Sequence, residues 1–347
     1  MEINGLYKET EDLGFEYRTR YLNSIEQFIK KGYEKANSSR CTPEMLSTNR
    51  EEYRVRYKQM LGIPEGGGVC PAADKKYVGE DSLCKIYRLS IEVMEDFYFY
   101  GMLFVPYNAE KAPLVIAQHG GGGSPEFCSD MYGENNYSGF TKRALKKGAV
   151  VFAPQILVWG FGGNTGENKP DFNISYDRGK IDRELKHLGY SITGLEIFCI
   201  MRSLDYLLTL EEVDENRVGM MGLSYGGFYS MYTAAADTRI KAIYSAAAFN
   251  DRSKVCFMDW MWQNSANMFF DAEVAGLCAP RKLCIDVGKN DAVFDYAPSV
   301  NEGERAKQFY KAASVPENFI YNLWEGEHRF DTDSGGFDFF FKAVFEG

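Results

Sequence analysis

The sequence predicts an α/β fold, in which a mostly parallel central sheet of about eight strands is flanked by helices and preceded by a helical extension. From about residue 83 onward, short apolar runs typical of strands alternate with segments of helical periodicity, which indicates a parallel sheet covered on both faces. A Gly-x-Ser-x-Gly motif stands between one such strand and one such helix. The polar, helix-like start leads us to place an N-terminal extension at 1–82 and the main domain at 83–347.

The extension is predicted to consist of two helices. The stretch FEYRTRYLNSIEQFIKKGYEKA has apolar residues at helical spacing. A second helix is expected to begin with Thr42 as N-cap and Pro43 in its first turn, and to stop at Gly62. The Gly- and Pro-rich run GIPEGGGVCPAADKK then predicts a loop. We expect the extension to pack over the pocket, on a neighbouring subunit or along the sheet edge, because its helices carry five aromatic residues, Phe15, Tyr17, Tyr21, Phe28 and Tyr33.

The main domain begins with two predicted antiparallel strands, CKIYRLSIEV and EDFYFYGMLFVP, of which the first alternates apolar and polar residues. The continuous apolar run APLVIAQ predicts a buried parallel strand. Two long segments, 157–190 and 248–274, break the alternation that follows, and loops of such length are usually functional or disordered. The remaining predicted strands are GAVVFAPQ, NRVGMMG, IKAIYSAAA, RKLCIDVG and ENFIYNLW, and the predicted helices lie near 138–147, 191–210, 226–236, 299–313 and 334–345.

Composition restricts the classes of partner. A net charge of −10 and a pI near 5.1 argue against nucleic acid or an anionic membrane surface. The sequence shows neither a signal-peptide pattern nor a long apolar run, so we expect a cytoplasmic protein without a membrane segment. The eight cysteines form no CxxC pair, which favours free thiols. We expect no metal, since no metal-ligand spacing is found among His119, His187 and His328.

The motif GLSYG places Ser224 between Gly222 and Gly226, after a predicted strand and before a predicted helix. A nucleophilic serine on such a turn is held in a strained backbone conformation, and side chains at the glycine positions would collide with the strand and the helix. The alternative is an ordinary helix start with Ser224 as the N-cap residue. The motif alone is weak, so its surroundings have to decide between the two.

A serine hydroxyl is a poor nucleophile unless a base accepts its proton, and a histidine base needs a carboxylate to orient it. His328 in LWEGEHRF and Asp291 in DVGKNDAVFD each follow a predicted strand, so both should lie at the same sheet edge as Ser224. A surface histidine and a turn aspartate are the competing interpretations. Three other aspartates are alternatives for the acid, namely Asp251, Asp286 and Asp295.

The run QHGGGGSPE follows the predicted buried strand LVIAQ. Acyl transfer develops negative charge on a carbonyl oxygen, and glycines let backbone N–H groups approach that oxygen closely. A phosphate-binding loop is the competing interpretation, but GKS, GKT and the full GxGxxG pattern are missing. We expect His119 to be structural, because His328 already stands where the base is expected.

These motifs resemble the serine α/β-hydrolase superfamily, in the branch that joins dienelactone hydrolases, acetyl xylan esterases and prolyl-oligopeptidase-like enzymes. The resemblance covers about residues 85–345 and implies the α/β-hydrolase fold with a catalytic domain at 83–347. Dienelactone hydrolases carry a cysteine in place of the serine, and 80 helical residues leave no room for an oligopeptidase propeller. The resemblance implies six roles: Ser224 as nucleophile, Asp291 as acid, His328 as base, and Gly121, Gly122 and Tyr225 as backbone donors of an oxyanion hole.

The resemblance further implies a serine carboxylic-ester hydrolase that works through an acyl-enzyme without a cofactor. The segment IDRELKHLGYSITGLEIFCIMRSLDYL is most similar to acetyl xylan esterase-like members, so short acyl esters of carbohydrates are the expected substrates. Cleavage of amide, lactone or C–C bonds, and a binding protein without catalysis, are the alternatives. A homo-oligomer is compatible with the sequence. We expect substrate-pocket residues among Trp159, Trp260, Trp262 and Arg329, although tryptophan-rich stripes more often belong to a core or an interface.

Overall fold

The computed structural model describes residues 6–159, 177–255 and 257–346, and only the backbone of residues 6–13. The predicted long segment 157–190 therefore lies partly outside the described residues, and Cys256 lies outside them as well. The described chain forms a single sheet with helices on both faces. This architecture confirms the predicted α/β class.

Nine strands build the central sheet. In chain order they are β1 (Ala73–Glu80), β2 (Cys84–Met94), β3 (Phe97–Pro106), β4 (Ala112–Gln118), β5 (Val150–Pro154), β6 (Val213–Leu223), β7 (Ala242–Ala246), β8 (Lys282–Gly288) and β9 (Phe319–Trp324). Their spatial order is β1-β2-β3-β5-β4-β6-β7-β8-β9. Pairings from β5 through β9 are parallel, and those of β1, β2 and β3 are antiparallel. The mostly parallel sheet is as predicted, with nine strands in place of about eight.

The strand that sequence analysis missed is β1, which lies inside the segment 1–82 that we predicted to be helix and loop. Its sequence ADKKYVGE shows no regular apolar alternation, and most of its side chains are exposed. It pairs antiparallel with β2 at the edge of the sheet. Because an edge strand is held mainly by backbone hydrogen bonds on one side, hydrophobic periodicity gives little sign of it.

The helices within the described ranges cover both faces of the sheet. They are α1 (Leu6–Ser39), α2 (Pro43–Leu61), α3 (Pro125–Cys128), α4 (Phe140–Lys146), α5 (Arg178–His187), α6 (Ile192–Leu207), α7 (Tyr225–Ala236), α8 (Asp271–Cys278), α9 (Ala297–Ala312) and α10 (Gly336–Glu346). The predicted helices of the main domain correspond to α4, α6, α7, α9 and α10. Helices α5 and α8 fall in the two long segments for which no helix was predicted.

Two hydrophobic layers hold the sheet between them. One layer packs α2, α6, α7, α8 and α9 against the sheet, and the other packs α4 and α10 against the opposite face. Helix α7 is buried along its whole length. The residue that precedes α7, Ser224, is therefore held by a rigid helix and by the central strand β6.

The start and end of α2 follow the sequence signals. Thr42 caps the helix by accepting a hydrogen bond from Met45 N–H at 3.3 Å, and Pro43 lies in the first turn. Gly62 ends the helix with φ +62°, a left-handed conformation that a glycine adopts at little cost. The predicted second helix of the extension is thus confirmed at both ends.

The aromatic residues of helix α1 do not pack against the other residues that the structure describes. Every side chain from residue 15 to residue 35 is exposed, and the burial of the helix begins at Ala36. Packing over the pocket or along the sheet edge is therefore not seen for these five aromatic residues among the described residues, and docking on a neighbouring subunit stays a prediction. Amphipathic periodicity reveals that a helix has an apolar face but does not reveal which surface covers it.

The link between α1 and α2 is anchored by Arg40, which is buried. Its guanidinium lies 3.2 Å from Glu302 of α9 and 3.6 Å from Glu273 of α8. It also lies over the ring of Phe270 at 4.8 Å. Burial raises the pKa of Glu302 to about 7, and the neighbouring Glu273 carboxylate adds to the effect. The cation thus stabilises two buried carboxyl groups that otherwise repel each other.

We predict that Arg40→Met lowers the free energy of unfolding by about 3 kcal/mol, because it leaves Glu302 without its cation in a buried setting. Urea denaturation followed by circular dichroism measures the change. The matched control is Arg56→Met, which removes an exposed ion pair with Glu52 on α2 and should cost less than about 1 kcal/mol. Equal midpoints for the two variants would contradict the anchoring role.

The cysteines within the described ranges are free thiols, and Cys70 is exposed while the others are buried. Burial raises the pKa of Cys41 and of Cys84 to about 12. Across the described ranges we find no helix with the length and apolar character needed to cross a membrane.

Candidate active site

The strand-to-helix turn at Ser224 has the geometry of a nucleophile elbow. Ser224 adopts φ +59° and ψ −122°, a strained conformation for a residue with a side chain. Its N–H donates to Ala246 O at 2.9 Å, and its carbonyl accepts from Phe228 N–H at 2.9 Å. The Ser224 side chain makes no capping bond to α7 among the described residues. The alternative in which Ser224 is an ordinary N-cap residue is therefore not what the structure shows.

The two glycines of the motif are required by close backbone packing. A Cβ atom on Gly226 would lie 2.0 Å from the carbonyl oxygen of Gln118, at the end of β4. A Cβ atom on Gly222 would lie 2.3 Å from the carbonyl carbon of Gly226. Both distances are far below contact, and the obstructing atoms belong to the backbone and cannot rotate away.

We predict that Gly226→Ala destabilises the protein by about 3 kcal/mol or more, because the added methyl group forces β4 and α7 apart. Soluble yield and the urea midpoint measure the effect. Gly14→Ala is the matched control: it makes the same change inside α1, where the new Cβ meets nothing within 4 Å. That control should gain up to about 1 kcal/mol from better helix propensity. Similar midpoints for the two variants would contradict the packing argument.

The glycine loop that follows β4 lies against the elbow. A Cβ atom on Gly120 would lie 3.2 Å from the Cβ of Ser224, and one on Gly121 would lie 3.1 Å from the Tyr225 ring. The N–H of Gly120 donates to the Tyr137 hydroxyl at 2.6 Å, so that amide is already engaged. Gly122 takes φ +69°, which its lack of a side chain permits.

Beside this junction, the backbone N–H groups of Gly121, Gly122 and Tyr225 have no backbone hydrogen-bond partner among the described residues. Tyr225 is the first residue of α7, and its amide precedes the first bond within the helix, as expected at a helix N-terminus. An oxygen that develops negative charge beside Ser224 would find donors here.

His119 is fully buried and holds the glycine loop through hydrogen bonds. Its Nδ1 lies 2.7 Å from Gly120 O, and its Nε2 accepts from Ile156 N–H at 2.9 Å. Burial lowers the pKa of His119 to about 4, so the ring is neutral and its Nδ1–H is the donor to Gly120. These contacts agree with the structural role expected from the sequence.

Asp291 and His328 are in contact beyond the carboxyl ends of β8 and β9. Oδ2 of Asp291 lies 2.8 Å from Nδ1 of His328. Oδ1 of Asp291 accepts from the amides of Val293 and Phe294 at 2.7 and 3.1 Å. Burial by itself would raise the pKa of Asp291, but the hydrogen bonds from His328 and from the two amides outweigh it and hold the pKa below its ordinary value.

The other three candidate acids bind elsewhere. Asp251 accepts from Ser253 N–H at 2.9 Å, and Asp295 accepts from Ala297 N–H at 3.0 Å. Asp286 is buried inside β8 and accepts from Asn322 Nδ2 at 3.0 Å. Within the described ranges, Asp291 is thus the carboxylate that orients His328.

The loop that carries His328 is tied to the sheet on both sides. Asn290 N–H donates to Gly326 O at 2.9 Å, which joins the loops of the acid and the base. Asp331 N–H donates to the buried Asp286 carboxylate at 3.0 Å. Burial raises the pKa of Asp286 to about 6. The backbone of its loop and the Asp291 carboxylate therefore position the histidine.

A row of aromatic rings connects the elbow with the histidine, and we name it the aromatic wall: Trp159, Tyr225, Phe257, Trp260 and Phe294. Within it, the centroid of Tyr225 lies 5.1 Å from Trp159 and 4.6 Å from Trp260. Phe294 lies 6.0 Å from Trp260 and 5.8 Å from the ring of His328. The wall thus reaches from the glycine loop to the base.

The predicted pocket residues are only partly brought together. Trp159 and Trp260 belong to the aromatic wall. Trp262 is buried in the core, where it stacks with Phe228 at 6.2 Å and donates to Ser191 Oγ at 3.3 Å. Arg329 is exposed, and its guanidinium lies over the Trp324 ring at 5.9 Å. The contacts of Trp262 and Arg329 thus lie away from the wall.

Sequence analysis missed a buried cluster that holds the ring of Tyr225. The Tyr225 hydroxyl donates to Asp259 Oδ1 at 2.9 Å, and Arg178 Nε donates to Asp259 Oδ2 at 2.9 Å. Arg178 also donates to the Tyr229 hydroxyl at 2.7 Å. Asp259 and Arg178 are far apart in sequence and lie in the two long segments, so only the fold could join them. Phe257 and Phe294 of the wall were missed for the same reason.

The arrangement of this site is one that can carry out acyl transfer. A strained serine, a histidine oriented by a carboxylate and free backbone amides meet at one edge of a parallel sheet. Within the described ranges, no three histidine, cysteine or acidic side chains are grouped so as to hold a metal ion. The fold and these residues are those of the α/β-hydrolase superfamily.

The family follows from a match to the chain itself. The family model for acetyl xylan esterase (AXE1) matches residues 75–259, more than half of the chain. The chain therefore belongs to the acetyl xylan esterase family.

Three known proteins illustrate the similarity. YtaP of Bacillus subtilis is 28% identical over 191 residues, which cover 52% of this chain and 60% of YtaP. A glucuronoyl esterase from Solibacter usitatus is 14% identical with a TM-score of 0.63, covering 88% of this chain and 93% of that one. Acetyl xylan esterase 1 from Thermoanaerobacterium sp. JW/SL YS485 is 17% identical with a TM-score of 0.55, covering 89% and 95%. At these identities the two solved structures share the fold.

Proposed function

We propose that this protein hydrolyses carboxylic esters through an acyl-enzyme formed on Ser224. The observation that carries the proposal is the 2.8 Å contact between Asp291 and His328, beside an elbow that presents the serine. Asp291 accepts a hydrogen bond from Nδ1–H of His328, which leaves Nε2 as the base for the serine proton.

The reaction then has two halves. Ser224 Oγ attacks the ester carbonyl while His328 takes its proton, and the negative oxygen is held by the amides of Gly121, Gly122 and Tyr225. His328 returns the proton to the departing alcohol. In the second half His328 activates a water, which attacks the acyl-enzyme and releases the acid and the free serine.

We propose short acyl esters, carried on carbohydrates, as the substrates. The aromatic wall supports this proposal because flat rings can stack on sugar faces, and because the bulky rings beside Ser224 restrict the acyl group. The family name and the printed names of two structural relatives, an acetyl xylan esterase and a glucuronoyl esterase, support it as well.

The proposal is tested with p-nitrophenyl acetate, butyrate and octanoate. We expect kcat/KM to fall steadily with acyl length, and acetylated xylo-oligosaccharides to be deacetylated. A fluorophosphonate probe should label the protein at Ser224, as peptide mass spectrometry would show. Probe labelling without turnover of any ester would redirect the proposal to amide, lactone or C–C bonds. A folded protein that neither labels nor turns over esters would overturn it in favour of a binding role.

A further inference from the structure

Helix α1 carries an apolar face that no other described residue of its own chain covers. Eight apolar side chains of this face are between 39% and 79% exposed: Phe15, Tyr17, Tyr21, Leu22, Ile25, Phe28, Ile29 and Tyr33. Monomeric proteins rarely expose so many large apolar groups side by side.

These side chains share one side of the helix. At 100° per residue they fall within an arc of about 160°, and nearly all charged residues fall outside that arc. Helices of this pattern are stabilised mainly by packing of their apolar face and not by propensity alone. A second surface is therefore expected to cover α1.

The exposed area has the size of a protein interface. At about 200 Å² for each free aromatic side chain and slightly less for each aliphatic one, the face presents about 900 Å². A stable protein–protein interface buries about 800 Å² on each partner. One patch of this size on each chain is sufficient for a two-fold dimer, in which the same surface serves both copies.

We propose that α1 packs antiparallel against α1 of a second copy of this chain, with the two-fold axis near Ile25. In this register Tyr17 lies opposite Tyr33, Tyr21 opposite Ile29, and Leu22 opposite Phe28, so apolar residues of the two copies face each other in these three pairs. Ile29 and Leu22 thus lie beside the larger rings of Tyr21 and Phe28, as close packing favours.

Two residues within the arc of the apolar face are not large apolar residues, and their positions support this register. Arg18 is a charged residue within the apolar arc, and Gly32 is a glycine within it, with nothing within 4 Å of its missing Cβ. A two-fold axis at Ile25 places Arg18 of one copy opposite Gly32 of the other, where the long side chain finds space. Parallel packing would instead place the two Arg18 side chains opposite each other, and like charges in an apolar interface are unfavourable.

Light scattering coupled to size-exclusion chromatography at tens of micromolar tests the proposal on the full chain. We expect the mass of a dimer for the unmodified protein and of a monomer for the double variant Leu22→Glu/Phe28→Glu. The control Gln27→Glu/Lys30→Glu changes the polar face and should remain dimeric. Circular dichroism and ester turnover per chain should be unchanged, since both pairs of residues lie away from the active site. A monomeric unmodified protein, or a dimer that survives Leu22→Glu/Phe28→Glu, would overturn the proposal.

Cross-linking tests the register. In a Cys70→Ser background, Ile25→Cys treated with a short bis-maleimide should give a covalent dimer, whereas Gln27→Cys and the background protein should not. Efficient cross-linking at Gln27 and not at Ile25 would overturn the antiparallel register. Co-sedimentation of a monomeric protein with phosphatidylcholine or phosphatidylglycerol vesicles, abolished by Leu22→Glu/Phe28→Glu, would assign the face to a membrane surface and also overturn the proposal.

Discussion

Replacing Ser224 by alanine is expected to lower kcat for p-nitrophenyl acetate by about six orders of magnitude. The acyl-enzyme can no longer form, and only substrate binding and the backbone amides of the proposed oxyanion hole still contribute to catalysis. The change removes one oxygen atom. Alanine still carries a Cβ atom, so the backbone strain at φ +59° remains the same. The folded state should therefore be retained, with an unchanged circular dichroism spectrum and urea midpoint.

Ser47→Ala provides the control for this experiment, since it makes the same change on the exposed surface of α2 and should leave kcat within about twofold. The fluorophosphonate probe should label the control and not Ser224→Ala. Undiminished turnover by a well-folded Ser224→Ala protein would place the nucleophile elsewhere.

Replacing Asp291 by asparagine is expected to lower kcat by about four orders of magnitude while the fold is retained. The asparagine amide can donate to Nδ1 of His328, which would leave Nε2 protonated and unable to accept the proton of Ser224. The change is close to isosteric, so the amide bonds to Val293 and Phe294 can persist through Oδ1.

The same substitution at the nearby Asp295 tests whether the loss of kcat is specific to Asp291. Asp295→Asn should leave kcat within about threefold, because Asp295 bonds to the backbone amide of Ala297 and not to the histidine. A loss of equal size in Asp295→Asn, or a loss below tenfold in Asp291→Asn, would contradict the assignment of the acid.

The elements that position the site could be predicted from the sequence because their signals are local. The strand β6, the elbow and α7 follow one another within about twenty residues, and Gly222 and Gly226 mark the tight packing between them. The acid and the base could be placed for a related reason. Each follows a strand of a parallel sheet, and all such strand ends meet at one edge.

The rest of the site could not be predicted because its contacts join distant segments. Arg178, Asp259 and Tyr225 meet only after α5 and the loop before α8 fold over the elbow. The choice of Asp291 over Asp251 or Asp295 depends on loop geometry, since all three follow strands and no local pattern tells them apart.

The extension illustrates a different limit. Periodicity identified α1 and α2 as helices, and the capping residues of α2 fixed its ends. The edge strand β1 could not be predicted because it buries little, and the pattern of α1 did not indicate which of three surfaces covers its apolar face. Hydrophobic patterns record that a surface is covered, and they do not record which molecule covers it.

The distribution of cysteines has a consequence for how this protein can be studied. The buried thiols include Cys84 at the start of β2, Cys199 in α6, Cys278 at the end of α8 and Cys284 in β8. A thiol reagent can reach each of them only when the surrounding structure opens, so its rate of modification measures the frequency of that opening. The modification rates of these native thiols therefore report local and global unfolding. The exposed Cys70 needs no opening, so its rate serves as the reference.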